Sequence, residues 1–352
     1  MSKNHKIVTI SPSGNLYGSE NVLFDYLCTT ELNHIVFVPK DSQFEQKLKS
    51  QKWNHRIKRF NPKRLELFYT NLILLLLTSR IKSVYVNEGG HYKWIKLIAQ
   101  ILPRIKFTVH LRMVYDAKTQ RIGFKTLENI RLIAISEYVA QELKKNRIKV
   151  DIIYDGFKCQ NNITKEKTED KSIYQVAIIG RIAESKGIFQ LPQILKELDK
   201  QNEIEHFSFN LYGEIMLSES KEAFDLETKK YKNYIHLKGF KTTDEIFKTT
   251  HLVLHLSKEE GLGRIFLESI CFKKPFIGFY SSGLREIANL TGLDELMVDL
   301  SDNEQDNAKS IAEKLTNIKR NYSEYSEKIN PSKDLEPFSI AKYSYQIDSI
   351  LL

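Results

Sequence analysis

Short apolar runs alternate with helix-length stretches along the whole chain, and that rhythm predicts most of its elements. In the first half, strands are expected at Ile7–Ile10, His34–Val38, Val84–Val86, Phe107–His110, Leu132–Ile135 and Ile152–Tyr154. Helical stretches fall between them at Ser19–Thr29, Arg64–Thr78, Tyr92–Leu102 and Glu137–Lys145, the last capped by Ser136. The stretch Lys158 to Lys171 is polar, charged and without apolar period, which marks it as a linker. A second alternation follows, with strands at Tyr174–Ile179, Phe207–Leu211, Tyr234–Leu237, Leu252–Leu256 and Pro275–Phe279. Its helices are expected at Ile188–Leu198, Asp244–Thr249, Arg264–Phe272 and Asn307–Asn317, and Phe338–Leu352 reads as a terminal helix. Strands alternating with helices imply parallel sheets wrapped by helices, an α/β chain of two domains, residues 1–160 and 161–337, with 338–352 as an added helix.

Composition fits that picture. A chain of 352 residues with 41% hydrophobic and 28% charged content supports two folded domains and argues against global disorder. The apolar run Leu72–Leu77 is about a third of a membrane span and reads as a buried helix. Met1 to Lys6 leads straight into a strand-like run too short for a signal-peptide core. Cys28, Cys159 and Cys271 are far apart and odd in number, so neither a disulfide framework nor a metal site is expected, and a reducing cytoplasm is the default.

Charge divides unevenly. Residues 1–160 hold 27 Lys and Arg against 13 Asp and Glu, a net of +14; the remainder hold 26 against 31, a net of −5, within an overall +9. The excess concentrates between Lys47 and Arg64, where Trp53 and Phe60 are interleaved. Such a run is either a solvated face or a docking surface for an anionic membrane. No zinc-finger spacing or aromatic RNA-binding signature accompanies it, and no nucleic-acid partner is expected.

Two segments carry chemistry. Val176–Ile179 ends in Gly180-Arg181 and is followed by Lys186-Gly187, a basic pair at a strand end suited to phosphate. Ser257 to Glu268 places Glu260 and Glu268 around Gly261, Leu262 and Gly263 at a helix start, where carboxylates can take hydroxyls and free amides can take phosphate. Ser13 to Glu20 contains glycines after the first strand but matches neither the dinucleotide fingerprint nor the phosphate loop. Asn87-Glu88-Gly89-Gly90 ends another strand and is either an acceptor-pocket wall or an ordinary turn.

Taken together, Gly180-Arg181, Lys186-Gly187 and Glu260-Gly261-Leu262-Gly263 followed by Glu268 resemble the retaining glycosyltransferases of family four, across Val176 to about Glu286. Leu262 departs from the phenylalanine commoner there. The resemblance implies a GT-B fold, two Rossmann-like domains facing across a cleft, with the terminal helix crossing back to the first domain. It implies that Arg181 and Lys186 clamp the donor diphosphate, that Glu260 contacts donor-sugar hydroxyls, and that Glu268 holds the ribose, with Gly261 and Gly263 beside them. By the same resemblance Gly213 and Lys238 border the nucleobase. Tyr17-Gly18-Ser19-Glu20 is a degenerate match to the family's first-domain loop, which makes Gly18 a donor-binding candidate, and His110 would be a strand-end catalytic histidine facing the cleft.

The implied activity is retaining transfer of a sugar from a nucleoside-diphosphate donor, UDP by default, to a hydroxyl of a glycan or lipid-linked acceptor in cell-surface polysaccharide synthesis. No metal or other cofactor is expected, and the location is cytoplasmic, peripheral on the inner membrane face. A nucleotide-sugar epimerase on the same scaffold, and a non-catalytic nucleotide- or glycan-binding protein, stay open as alternatives.

Overall fold

A computed structural model describes residues 6–123, 125–159, 172–216 and 221–352. It divides into two compact units: Met1–Lys158 with Pro337–Leu352, and Cys159–Glu336. From residue 160 the expected linker lies outside the described residues.

Unit one is built on β1 (Lys6–Ile10), β2 (Asn33–Pro39), β3 (Arg56–Phe60), β4 (Ser83–Val86), β5 (Lys106–Leu111), β6 (Ile130–Ala134) and β7 (Asp151–Ile152). All pairings are parallel, in the order β3-β2-β1-β4-β5-β6-β7. The central strands are mainly apolar, with Val8, Val36, Val84 and Val109 fully buried, as strands covered on both faces tend to be. The terminal helix Ile340–Leu351 belongs to this unit: Tyr26 and Thr30 donate to Asp348 at 2.6 and 2.8 Å, and Ser83 Oγ donates to the Leu351 carbonyl at 2.7 Å.

Two expectations change here. The basic run contains an edge strand, β3, whose charges keep a sheet edge soluble, while Phe60 is buried and stacked on Phe68 and Trp53 packs half-buried against Phe24. The aromatics of that run therefore serve packing, not an external surface. The helix Leu65–Thr78 is buried on one face only, through Phe68, Tyr69, Leu72 and Leu76, while Leu67, Leu74 and Leu77 are more than half exposed.

Unit two has β8 (Tyr174–Ile179), β9 (Phe207–Tyr212), β10 (Ile235–Gly239), β11 (Leu252–Leu254), β12 (Phe276–Phe279) and β13 (Met297–Val298), again parallel, in the order β10-β9-β8-β11-β12-β13. In both sheets the order reverses once, between β1 and β4 and between β8 and β11, and open α/β sheets bind ligands beyond the strand ends at such a point. A disulfide joins Cys159 to Cys271, with Cα atoms 5.5 Å apart, so the fold pairs two cysteines whose 112-residue separation hid them in the sequence; Cys28 is free and exposed. Among the described residues no helix is long and apolar enough to cross a membrane.

Candidate functional site

The densest chemistry lies in unit two at the β8/β11 reversal. Beyond β8 the chain passes exposed Arg181 and makes a turn at Glu184–Lys186. Gly187 follows at φ 73°, where a Cβ would come within 2.1 Å of the Leu256 carbonyl. Only glycine lets these two loops approach so closely, and the approach carries Lys186 Nζ to 2.5 Å from Glu260 Oε1. His255 Nε2 lies 3.1 Å from the same oxygen. A carboxylate only accepts, so the histidine presents Nε2–H to it. Burial opposes ionisation of Glu260, but the His255 hydrogen bond and charge, with those of Lys186, hold its carboxyl down at about 2.

The loop bearing Glu260 is fixed from behind by the helix Ser282–Thr291. Ser282 Oγ accepts from the Glu260 amide at 3.0 Å, Gly283 donates to the Glu260 carbonyl at 3.0 Å, and Ser281 Oγ donates to the Lys258 carbonyl at 2.8 Å. Gly261 and buried Leu262 lie between this support and Gly263, which starts the helix Arg264–Cys271. Glu268, a turn into that helix, is about a fifth exposed and lies 3.6 Å from Arg264 Nε. Burial lifts its carboxyl above the ordinary range while Arg264 pulls the other way. The structure thus brings Lys186 and Glu260 into contact and gives Glu268 a partner of its own.

Glycines Gly180, Gly213 and Gly239 follow one another across the ends of β8, β9 and β10. Gly180 donates to Tyr212 at 2.9 Å and Gly213 to Gly239 at 3.0 Å. At Gly213, φ 136°, a Cβ would sit 2.0 Å from the Gly180 carbonyl, so the two loops meet backbone to backbone. Lys238 is exposed beside them, as is Phe240. His255 and Ser282 were missed by the sequence reading. A histidine just past an apolar strand was the available signal for the first; nothing local marks the second, whose part depends on a tertiary contact.

In unit one, Gly18 opens the helix Gly18–Thr29 beyond β1, and Ser19 Oγ donates to Glu88 beyond β4, across that sheet's own reversal. Burial raises the Glu88 carboxyl, and the nearby Glu20 and Asp116 add to it. The expectation for His110 is corrected. Its side chain is fully buried, with Nδ1 2.9 Å from the Tyr85 hydroxyl and its ring stacked on Tyr343 of the terminal helix. Burial, with the Arg112 charge adding to it, keeps the imidazole neutral. It is a core histidine.

Residues 160–331 match the family model described as glycosyl transferases group 1. An uncharacterized glycosyltransferase of Methanocaldococcus jannaschii is 27% identical over 204 residues, 56% of this chain and 52% of that protein. The UDP-N-acetylglucosamine–peptide N-acetylglucosaminyltransferase GtfA subunit of Streptococcus parasanguinis is 35% identical over 80 residues, 22% of this chain and 16% of that one. The matches thus span about half or less of these relatives' lengths. The crystal structure of Anabaena HepE with UDP and glucose aligns at a TM-score of 0.76 and 15% identity over 99% of both chains, which shows the fold. The chain has the GT-B fold of two Rossmann-like domains, and its second unit is similar to the glycosyl transferases group 1 family.

Proposed function

We propose that the protein transfers a sugar from a nucleoside-diphosphate donor, UDP best supported, to a hydroxyl of a glycan or lipid-linked acceptor. The observation that carries this is the Lys186–Glu260–His255 contact at the strand-order reversal of the family-matched unit. A cation, an ionised carboxylate and an exposed Arg181 within one loop cluster fit a diphosphate next to a hydroxylated ring. Relatives named for UDP-N-acetylglucosamine or solved with UDP and glucose support the nucleotide. On this reading the diphosphate takes Lys186 and Arg181, and Glu260, ionised at neutral pH, accepts from sugar hydroxyls.

For the chemistry we favour retention. The bond from the anomeric carbon to the phosphate oxygen breaks, the acceptor oxygen bonds that carbon on the same face, and the acceptor proton passes to the leaving phosphate. Arg181 and Lys186 stabilise the charge that develops on the diphosphate, a role metals fill elsewhere. Calorimetry with UDP tests the clamp. Arg181→Ala and Lys186→Ala should each weaken affinity roughly ten- to a hundredfold, for a charge-assisted contact of about 1.5–3 kcal/mol. Unchanged affinity in both would end the assignment. Turnover should persist in EDTA; complete loss reversed by manganese or magnesium would reject the metal-free clamp. Conversion of a UDP-sugar to its epimer without acceptor would favour an epimerase instead.

A peripheral site on the inner membrane face is part of the proposal. Exposed Leu67, Leu74 and Leu77, with Leu97 and Ile101 on the neighbouring helix Tyr92–Ile101, supply apolar surface in the half of the chain that carries +14. Anionic vesicles should sediment the protein at low salt, and Leu74→Asp with Leu77→Asp should release it. Equal binding to neutral vesicles would remove the electrostatic part, and no binding to either would favour a soluble acceptor.

A further inference from the structure

Unit one has a cavity of about 500 Å³ at the carboxyl edge of its sheet. Its walls are Gly90 and His91 from the turn beyond β4, Tyr92, Lys93 and Trp94 from the first turn of the following helix, and Arg121 from beyond β5. It borders the reversal between β1 and β4: a Cβ on Gly90 would have Pro12, just beyond β1, as its neighbour at 3.9 Å.

The walls are held in place. Trp94 stacks on Tyr69 with ring centres 5.3 Å apart and planes 14° from parallel, and the Tyr69 hydroxyl meets His91 Nδ1 at 2.6 Å. Burial keeps His91 near a pKa of about 4, so it is neutral at physiological pH and contributes hydrogen bonding without charge. Arg121 donates to buried Asp116 at 2.6 Å, which fixes the guanidinium, and no ion pair among the described residues involves Lys93. Tyr92, 2% exposed, backs the wall with its ring.

An ordered aromatic platform flanked by two cations matches one kind of ligand. We propose that this cavity seats the acceptor as a pyranose carrying a carboxylate or a phosphate. The ring lies on Trp94, and the anionic group is met by Lys93 and Arg121. This rests on the glycosyl-transfer reading above and adds to it the place and charge of the acceptor.

Saturation-transfer NMR on the full chain tests it, with glucose, glucuronic acid and glucose 6-phosphate as probes. At least one anionic sugar should bind and outcompete glucose. Trp94→Ala and Arg121→Ala should each weaken it roughly tenfold or more, and Trp94→Phe should restore most of the loss from Trp94→Ala. Thermal unfolding of each variant excludes loss of fold as the cause. A response to glucuronic acid alone assigns the carboxylate, and to glucose 6-phosphate alone the phosphate. Equal binding of all three sugars overturns the charge assignment. No binding of any, or full binding in folded Trp94→Ala, overturns the cavity. UDP calorimetry on the wild type separates the two readings: UDP bound without sugar bound rejects the cavity only, whereas no UDP bound rejects the donor site on which it depends.

Discussion

His110 and His255 both stand at the ends of buried parallel strands, and both find a hydrogen-bonding neighbour. His110 lies in the interior of unit one against Tyr85 and Tyr343. Beside it Arg112 donates to the Asn87 carbonyl at 2.8 Å and side chain at 2.9 Å, reaches the Tyr343 hydroxyl at 3.4 Å and pairs with Asp155. His255 lies at the edge of unit two against Glu260, which shares an oxygen with partly exposed Lys186. The two sheets have the same strand order at their centres, yet one spends its polar side chains on seating the terminal helix and the other leaves them where a ligand can exchange with them. A strand-end position confers no chemistry by itself; what covers the strand end decides.

If that contrast holds, the largest effect belongs to Arg112→Ala. It strands Asp155 and the Asn87 carbonyl, and removal of one partner of a buried ion pair costs about 3–5 kcal/mol. Trp53 and Trp94 both lie in unit one, so tryptophan fluorescence during denaturant unfolding reads that unit alone. A loss below about 1 kcal/mol would show that the network is ornamental to folding. The matching change in unit two acts on chemistry: Glu260→Ala should cut turnover by about 10²–10³-fold, comparable to loss of one preorganised transition-state contact, with UDP affinity changed far less. Equal losses in affinity and turnover would make Glu260 a donor anchor instead.

Acid should separate the units as well. Burial, with His55 adding to it, pushes His34 down to about 3, while unfolded histidine titrates near 6.5. The unfolded chain therefore takes up the proton first, and the stability held by neutral His34, on the order of 5 kcal/mol, is complete above pH 6.5 and lost as pH falls towards 3. Buried His110 acts in the same direction. Glu260, depressed to about 2, contributes stability that is complete above about pH 4.5 and lost only below it. Hydrogen exchange by mass spectrometry at pH 5 should show β1, β4 and β5 opening faster than at pH 7 while β8 and β11 change little. The reverse order would break the contrast.

How much of this was legible follows from what each feature depends on. The central strands are short, mainly apolar runs, so the alternation with helical stretches located them, and the glycine, lysine and glutamate positions of unit two are read locally along the chain. β3 was hidden because an edge strand needs charge, and Arg56-Ile57-Lys58-Arg59 looks like a basic cluster until β2 pairs with it. The burial of His110 depends on Tyr343, 233 positions away, and the Cys159–Cys271 pair on a separation of 112; neither leaves a local trace. Ser282 is equally silent, since its link to Glu260 exists only once the helix Ser282–Thr291 packs behind the loop.

The smallest effect expected is also the sharpest test. Lys186 and Glu260 make a close ion pair, 2.5 Å apart, but Lys186 is 30% exposed and Glu260 16%. Removing Lys186 leaves Glu260 its His255 hydrogen bond and partial access to water, so Lys186→Ala should cost no more than about 1 kcal/mol in stability, a Tm change of roughly 2–4 °C for a unit of this size. The same variant should lose ten- to a hundredfold in UDP affinity. A contact weak for folding and strong for ligand is what an exchangeable edge cation requires, because the diphosphate must displace Glu260 from Lys186 without dismantling the loop. Were Lys186→Ala to destabilise as much as Arg112→Ala, the edge pair would be as structural as the buried one. The distinction between the two strand ends would then rest on position alone.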